Sequence, residues 1–267
     1  YKSMSEAAAN IGLWAMVFAF LLVIPPIVIS FWLKLGIVKR TLISTARMGV
    51  QLAFVGFYLH YIFDLNNSWL NVGYLLLMTV IASFSAIKSC DLKWQIFFVR
   101  FFVSSLLPLI VLVFYFDWLI IDLNNLFDAR YLIPIGGMLL GNTLKANVIG
   151  VDRFFSSLKS QRESYESLLA FGASRAQALR PFYREALRAS VNPMLATMAT
   201  VGLVSLPGMM TGQILGGSLP VTAIKYQIAI MTAIFSNNIL SVLLTLWLAS
   251  PIAFNKFAML KKEIFRG

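Results

Sequence analysis

The chain reads as an all-α membrane protein. About seven transmembrane helices are expected, with the N-terminus outside, the C-terminus inside, and a cytoplasmic helix pair between spans five and six. Three observations predict this. Of 267 residues, 59% are apolar and 12% charged, and the mean hydropathy is +0.80, whereas soluble domains are about a quarter charged. Apolar runs long enough to cross a bilayer, about 20 residues each, recur with short connectors between them. A single connector, Ser160 to Arg188, is long, polar and Arg-rich.

The expected spans run, in order, over Ala8–Leu33, Leu42–Phe63, Trp69–Ile87, Gln95–Phe116, Leu132–Gly150, Val191–Ile214 and Ala223–Ala253. In the first, Pro25-Pro26 removes two backbone donors, so a kink is expected there. That first run is long enough to span, so a cleavable signal peptide is not expected. Trp32, Trp69, Trp94, Trp118 and Tyr131 fall near span ends, as interfacial anchors do. Arg100, a turn or two inside the fourth span, is expected to snorkel towards headgroups, with a partner inside the bundle as the alternative. With no internal repeat or low-complexity linker, residues 1–267 read as a single permease-type membrane domain, its cytoplasmic segment covering about 152–189.

Charge sets the orientation. Lys34, Lys39, Arg40 and Arg47, then Lys88 and Lys93, then Arg153 to Arg188, then Lys256, Lys261, Lys262 and Arg266 lie in alternate connectors. The opposite connectors hold Asp64, Asp117, Asp122 and Asp128 against Arg130. A Lys/Arg excess marks the cytoplasmic side, and opposite termini require an odd number of spans. The net charge of +11 therefore reads as topology signal and headgroup contact rather than as a nucleic-acid surface. One His and one Cys leave no histidine metal cage, disulfide scaffold or nucleophile triad to build.

Within the polar connector, Ser160-x-x-Glu163 and Ser174-x-x-Gln177 have the form of capping boxes. Gly172 lies between them, where a helix end takes up positive φ cheaply. The pattern predicts helix, corner, helix, from about Gln161 to Phe171 and again from Arg175. Arg180, Arg184 and Arg188 share one face of the second helix and are expected to touch headgroups. A polar helix pair in so apolar a chain needs a partner in water, and it reads as the dock for a cytosolic motor.

Glu166-Ser-Leu-Leu-Ala-Phe-Gly172 resembles the coupling segment of ABC transporter permeases. Gly202-Leu-Val-Ser-Leu-Pro-Gly-Met-Met210, Gly212 and Pro220-Val-Thr-Ala-Ile-Lys-Tyr-Gln-Ile228 resemble, more specifically, the FetB-type permeases of bacterial iron-efflux ABC transporters. These belong to the UPF0014 family, with plant aluminium-tolerance permeases as relatives. Ile133-Pro-Ile-Gly-Gly-Met138 with Gly141-Asn142 fits the same group. The resemblance implies an exporter subunit in a bacterial inner membrane, paired as a homodimer with two copies of a FetA-like ATPase. ATP and Mg would then sit on that partner, and no cofactor on this chain, which lacks a Gly-x-x-x-x-Gly-Lys-Ser/Thr loop. It also implies that Glu166, Leu169, Phe171, Gly172, Ala173, Ser174 and Arg175 couple to the ATPase.

The sixth span carries Ser205, Pro207-Gly208, Met209, Met210, Thr211, Gly212 and Gln213. Broken helix at membrane depth is tolerated where protein or a water-filled cavity covers it, so a pathway-lining gate and small-residue packing are both expected there. Asn142 and Lys145 lie inside the fifth span, and because its charge is costly in hydrocarbon Lys145 is expected to face the bundle interior or to snorkel inward, with Asn142 and Asn147 beside it favouring the interior. A lysine suits an anionic or chelated cargo better than a bare cation. Lys225-Tyr226-Gln227 opens the seventh span, as anchor or gate. Met194, Met198 and Met209 could act as soft ligands for copper-like ions, though methionine is also ordinary filling between helices. A non-metal anionic or nucleotide-sugar cargo and a membrane-embedded factor of another class stay open as alternatives.

Overall fold

The computed structural model describes residues 12–123, 125–255 and 257–265. Among them every long element is helical, and six helices are long and apolar enough to cross a membrane. They fall into two compact units, one comprising 12–65 with 212–219 and the other comprising 66–211 with 220–265.

In the first unit, α1 (Leu13–Leu21) and α2 (Ile24–Trp32) share one apolar stretch. Between them the Leu22 and Val23 amides reach back only three residues, to the Ala19 and Phe20 carbonyls. Pro25 and Pro26 occupy the first turn of α2, where their missing N–H groups leave no bond unmade. This is the kink the prolines predict. Residues 8–11 of the expected first span lie outside the described residues. α3 (Val38–Leu65) follows. The Phe20 ring packs so closely on it that a Cβ on Gly49 would lie 3.1 Å from the ring. α3 exposes nearly its whole apolar length.

The second unit contains α4 (Ser68–Ser89), α5 (Trp94–Tyr115), α6 (Ala129–Ser160), α7 (Arg162–Ala170), α8 (Arg175–Thr200) and α10 (Pro220–Ala253). The short α9 (Gly208–Leu215) precedes α10. α6 is its axis and packs against α4, α8 and α10. Two apolar clusters form along it. One joins Phe97 and Phe101 of α5 to Phe154 and Leu158 of α6, Phe182 of α8 and Leu246 of α10. The other joins Leu109 and Val113 to Leu132, Leu139 and Ile230.

Between the clusters lies a buried polar layer. Asn147 on α6 donates to Ser241 Oγ on α10 (3.0 Å) and Ser105 Oγ on α5 (3.5 Å), and accepts from Thr245 Oγ1 (3.1 Å). Ser104 and Thr245 hydroxyls meet at 2.6 Å, and Asn237 donates to Thr143 Oγ1 at 2.6 Å. Small residues let these helices approach. A Cβ on Gly150 would stand 2.7 Å from Val242 Cγ1 and 3.3 Å from Ser190 Cβ.

The expected sixth span, Val191–Ile214, is not one helix. α8 stops at Thr200, and Val201–Pro207 is non-helical, with Gly202 at φ +86°. The break therefore precedes Pro207-Gly208 instead of falling on it. Pro207 sits just before α9, where a ring without an N–H is tolerated, and its carbonyl caps the helix by accepting from the Thr211 amide (3.0 Å) and hydroxyl (3.2 Å). Asp117, counted with the connectors, instead belongs to a π-helical turn, Phe116–Ile120, and is buried. Arg100, half-buried, donates to the Ile96 carbonyl one turn back on its own helix.

Gly150→Val overpacks the α6–α8–α10 contact. It should lower stability by about 1–3 kcal/mol, read as a lower melting temperature of the purified protein in detergent.

Candidate coupling elbow and pathway

The polar connector folds as helix, corner, helix. At the end of α7, Gly172 takes φ +86°, its amide bonds the Leu169 carbonyl, and the Ala173 amide bonds the Leu168 carbonyl, both at 3.0 Å. This is a Schellman cap, which glycine permits without a Cβ penalty. α8 then opens on a complete capping box. Ser174 Oγ accepts from the Gln177 amide (3.3 Å), and Gln177 Oε1 accepts from the Ser174 amide (2.8 Å).

The other expected capping box does not form. Ser160 is the last residue of α6 and spends its hydroxyl on the Ser157 carbonyl, and Gln161 caps α7 without a side-chain bond. Because α6 runs unbroken to Ser160, the start of the 152–189 segment is a continuation of the fifth span.

Of the residues assigned to coupling, Phe171 stands out with 89% of its surface exposed at the tip, beside exposed Gly172, Ser174 and Arg175. Leu169 and Ala173 are half-buried, and Leu169 packs against the core. Glu166 pairs with Arg162 along α7.

The elbow is held from behind. Buried Tyr165 stacks edge-on to Phe182 and donates its hydroxyl to the Ala258 carbonyl at 2.7 Å. Burial pushes that phenol above its ordinary value, against the pull of Arg175, so it stays a donor. Ala258 lies in a strap following α10. Asn255 Oδ1 accepts there from the Phe257 and Met259 amides (2.9 Å each), and the Lys93 amide donates to the Ile264 carbonyl (3.0 Å). Lys159 lies over the Phe265 ring at 3.5 Å. The strap thus ties the start of α5 to α7, an arrangement no sequence motif announced.

Arg180, Arg184 and Arg188 are all exposed on one face of α8. Arg188, however, also lines a cavity of about 600 Å3 with Asp152, Asn192 and the Arg153–Glu185 ion pair (2.5 Å).

The residues assigned to the pathway separate. Lys145 is exposed on α6 instead of facing the interior, because Thr143 and Asn147 already fill the inward face. Asn142, half-buried, bonds its own helix at the Met138 carbonyl (2.8 Å). Ser205 is exposed, and its carbonyl accepts from the Gly202 amide (2.9 Å). Pro207 and Met209 are half-buried, Gly208 begins α9, Met210 is buried, and Gln213 lies further along α9. Lys225, Tyr226 and Gln227 sit more than a turn inside α10, which begins at Pro220, so they do not open the helix. Lys225 is exposed, Tyr226 half-buried and Gln227 buried. Gln227, Met198, Met210 and Met231 line a cavity of about 430 Å3 beside the Val201–Gly202 turn.

Cys90 follows α4, buried. Burial first, then Asp152 and Asp91, push its thiol up to about 12. Among the described residues, no three His, Cys, Asp or Glu gather into a metal-binding group.

Spans threaded by a buried polar layer, with a capped elbow at one end of the bundle, define a polytopic membrane protein. The family model of the uncharacterised protein family UPF0014 matches residues 13–254, and the chain belongs to that family. It is 34% identical over 210 residues to a UPF0014 membrane protein of Synechocystis, covering 79% of this chain and 81% of the relative. It is 33% identical over 240 residues to the probable iron export permease protein FetB of Escherichia coli, covering 90% and 91%. It is 31% identical over 249 residues to the protein ALUMINUM SENSITIVE 3 of Arabidopsis thaliana, covering 92% and 89%. No solved structure matches. The chain is an integral inner-membrane protein and a membrane permease.

Two outcomes follow from the elbow and the thiol. Tyr165→Phe should remove about 1 kcal/mol of hydrogen bonding and speed amide exchange at Lys261 and its neighbours in the strap. Cys90 should resist maleimide at pH 8, where a thiol with a pKa near 12 is almost wholly protonated, and react only once the protein is unfolded.

Proposed function

We propose that this chain is the transmembrane subunit of an ABC exporter for iron or another metal ion or complex, driven by a separate FetA-like ATPase. The observation that carries the reading is the elbow. A lone exposed aromatic, Phe171, is presented on a doubly capped corner that projects between long helices. An aromatic anchor on a rigid support is the form that binding hot spots take. Similarity to a relative named as a probable iron export permease supports the metal cargo.

The working unit is a homodimer with two ATPases. Each ATPase half closes on the other, and each permease offers one elbow. The chain sits with its N-terminus outside and the elbow in the cytoplasm, as the Lys/Arg distribution requires. α7 follows directly on α6, and α8 is itself the helix that ends at the Val201–Pro207 break, so a push on Phe171 reaches both α6 and the break. ATP and Mg belong to the partner. Lys145, with Asn142 half-buried a turn before it on α6, is turned to the second copy, because a lysine facing lipid is expensive.

Co-purification with the ATPase tests the reading. Phe171→Ala should weaken that association by roughly tenfold or more, since truncating an aromatic anchor costs about 2 kcal/mol or more. Gly172→Val, strained at φ +86°, should assemble but lose transport-linked ATPase activity. Normal coupling in both variants would refute the assignment of the elbow.

A further inference from the structure

The cavity beside the α8–α9 break has a chemistry that the coupling reading does not use. Its wall presents the thioethers of Met198, Met210 and Met231 and the amide of Gln227. Met210, Met231 and Gln227 retain only 8%, 6% and 8% of their surface exposure. Gln227 Oε1 is shut from solvent and has no hydrogen-bond partner among the described residues. An unpaired buried carbonyl is destabilising, so the site is short of one donor or one cation. The neighbouring groups that might answer it are committed. Thr232 Oγ1 donates to the Ile228 carbonyl (2.9 Å), the Val201 amide to Thr197 (2.9 Å) and the Gly202 amide to Ser205 (2.9 Å).

The donor set selects its ion. Thioethers are soft and neutral, and soft ligands favour ions such as Cu(I) over hard cations that need carboxylate or water oxygens. Among the described residues, no carboxylate and no imidazole lines the cavity. A trivalent or hard divalent ion would enter it with its charge uncompensated, which a site inside a membrane protein penalises heavily. A single positive charge asks least of neutral ligands.

We propose that this cavity binds a soft monovalent metal cation through the sulfurs of Met198, Met210 and Met231, with Gln227 Oε1 as the oxygen donor. Two of these thioethers stand on opposite sides of the break, Met198 on α8 and Met210 on α9, and Met231 comes from α10. Straightening or closing the Val201–Pro207 segment would change their separation and hence the grip on the ion. The place of this site in transport rests on the reading of the chain as a metal permease. The binding itself does not.

The probe is Ag(I), added as the nitrate to the purified full-length protein in chloride-free detergent buffer and followed by calorimetry and native mass spectrometry. A Cys90→Ser background removes the one thiol of the chain. One Ag(I) per chain is expected, with no competition from Fe(II). Met210→Leu with Met231→Leu keeps the volume of the wall and should weaken binding by about tenfold or more, with an unchanged melting temperature. Should that pair fail to fold, the half-buried Met198→Leu decides alone. Absence of Ag(I) binding, equal binding by the leucine variants, or displacement of Ag(I) by Fe(II) would overturn the site. Saturable Ag(I) binding without ATP-driven movement of the ion in the assembled complex would leave the site standing and count against the exporter reading instead.

Discussion

The hydrogen bonds from Asn147 to α5 and α10 constrain everything packed around them. Lipid tails are as apolar as leucine, so apolar contact alone does little to fix how membrane helices slide past one another. An amide or hydroxyl at that depth has no water to turn to and must meet its partner at one height. Asn147, Ser105, Ser241 and Thr245 do this in the middle of the second unit. The apolar clusters above and below inherit their register from that layer, and Gly150, one turn further along α6, permits the approach. Such interhelical bonds are each worth about 0.6 kcal/mol, so the layer specifies alignment more than it adds stability.

That alignment positions the elbow. α6 continues past the membrane-length stretch into Phe154, Phe155 and Leu158, whose side chains are buried with Tyr165 and Phe182. The corner beyond is held by the Schellman pair at one helix end and the capping box at the other. Only its tip is left uncovered. Rigidity behind and an exposed aromatic in front are what the proposed coupling to an ATPase needs, whereas a loosely held loop would absorb motion.

Much of this was legible in the sequence, and the failures have physical causes. Span positions follow from apolar length, and Pro25-Pro26 and Gly172 fix their local geometry wherever they stand. Ser174 caps because a glycine corner frees the helix that follows it. Ser160 does not, because the apolar face of α6 continues through Phe154, Phe155 and Leu158, and tertiary packing outweighs the local signal. Pro207 points to a break at its own position, yet the helix already ends at Thr200, since proline is as much at home before a helix as inside a broken one. The cost of a lysine in lipid argues for an inward Lys145, but Thr143 and Asn147 already fill that face of α6. The polar layer was invisible for another reason. Its members come from α5, α6 and α10, and separations of 42 to 141 residues carry no periodicity to read.

The bond from Tyr165 to Ala258 spans 93 residues of chain. During synthesis α7 therefore leaves the ribosome long before the strap that backs it exists. Until α8 and α10 have been threaded and the strap has followed, the elbow has its caps but not its brace. The exposed tip at Phe171 is thus the part of the molecule whose local shape is settled first and whose support arrives last. A partner that engages only the braced form would thereby pass over unfinished chains, making correct insertion a precondition for assembly.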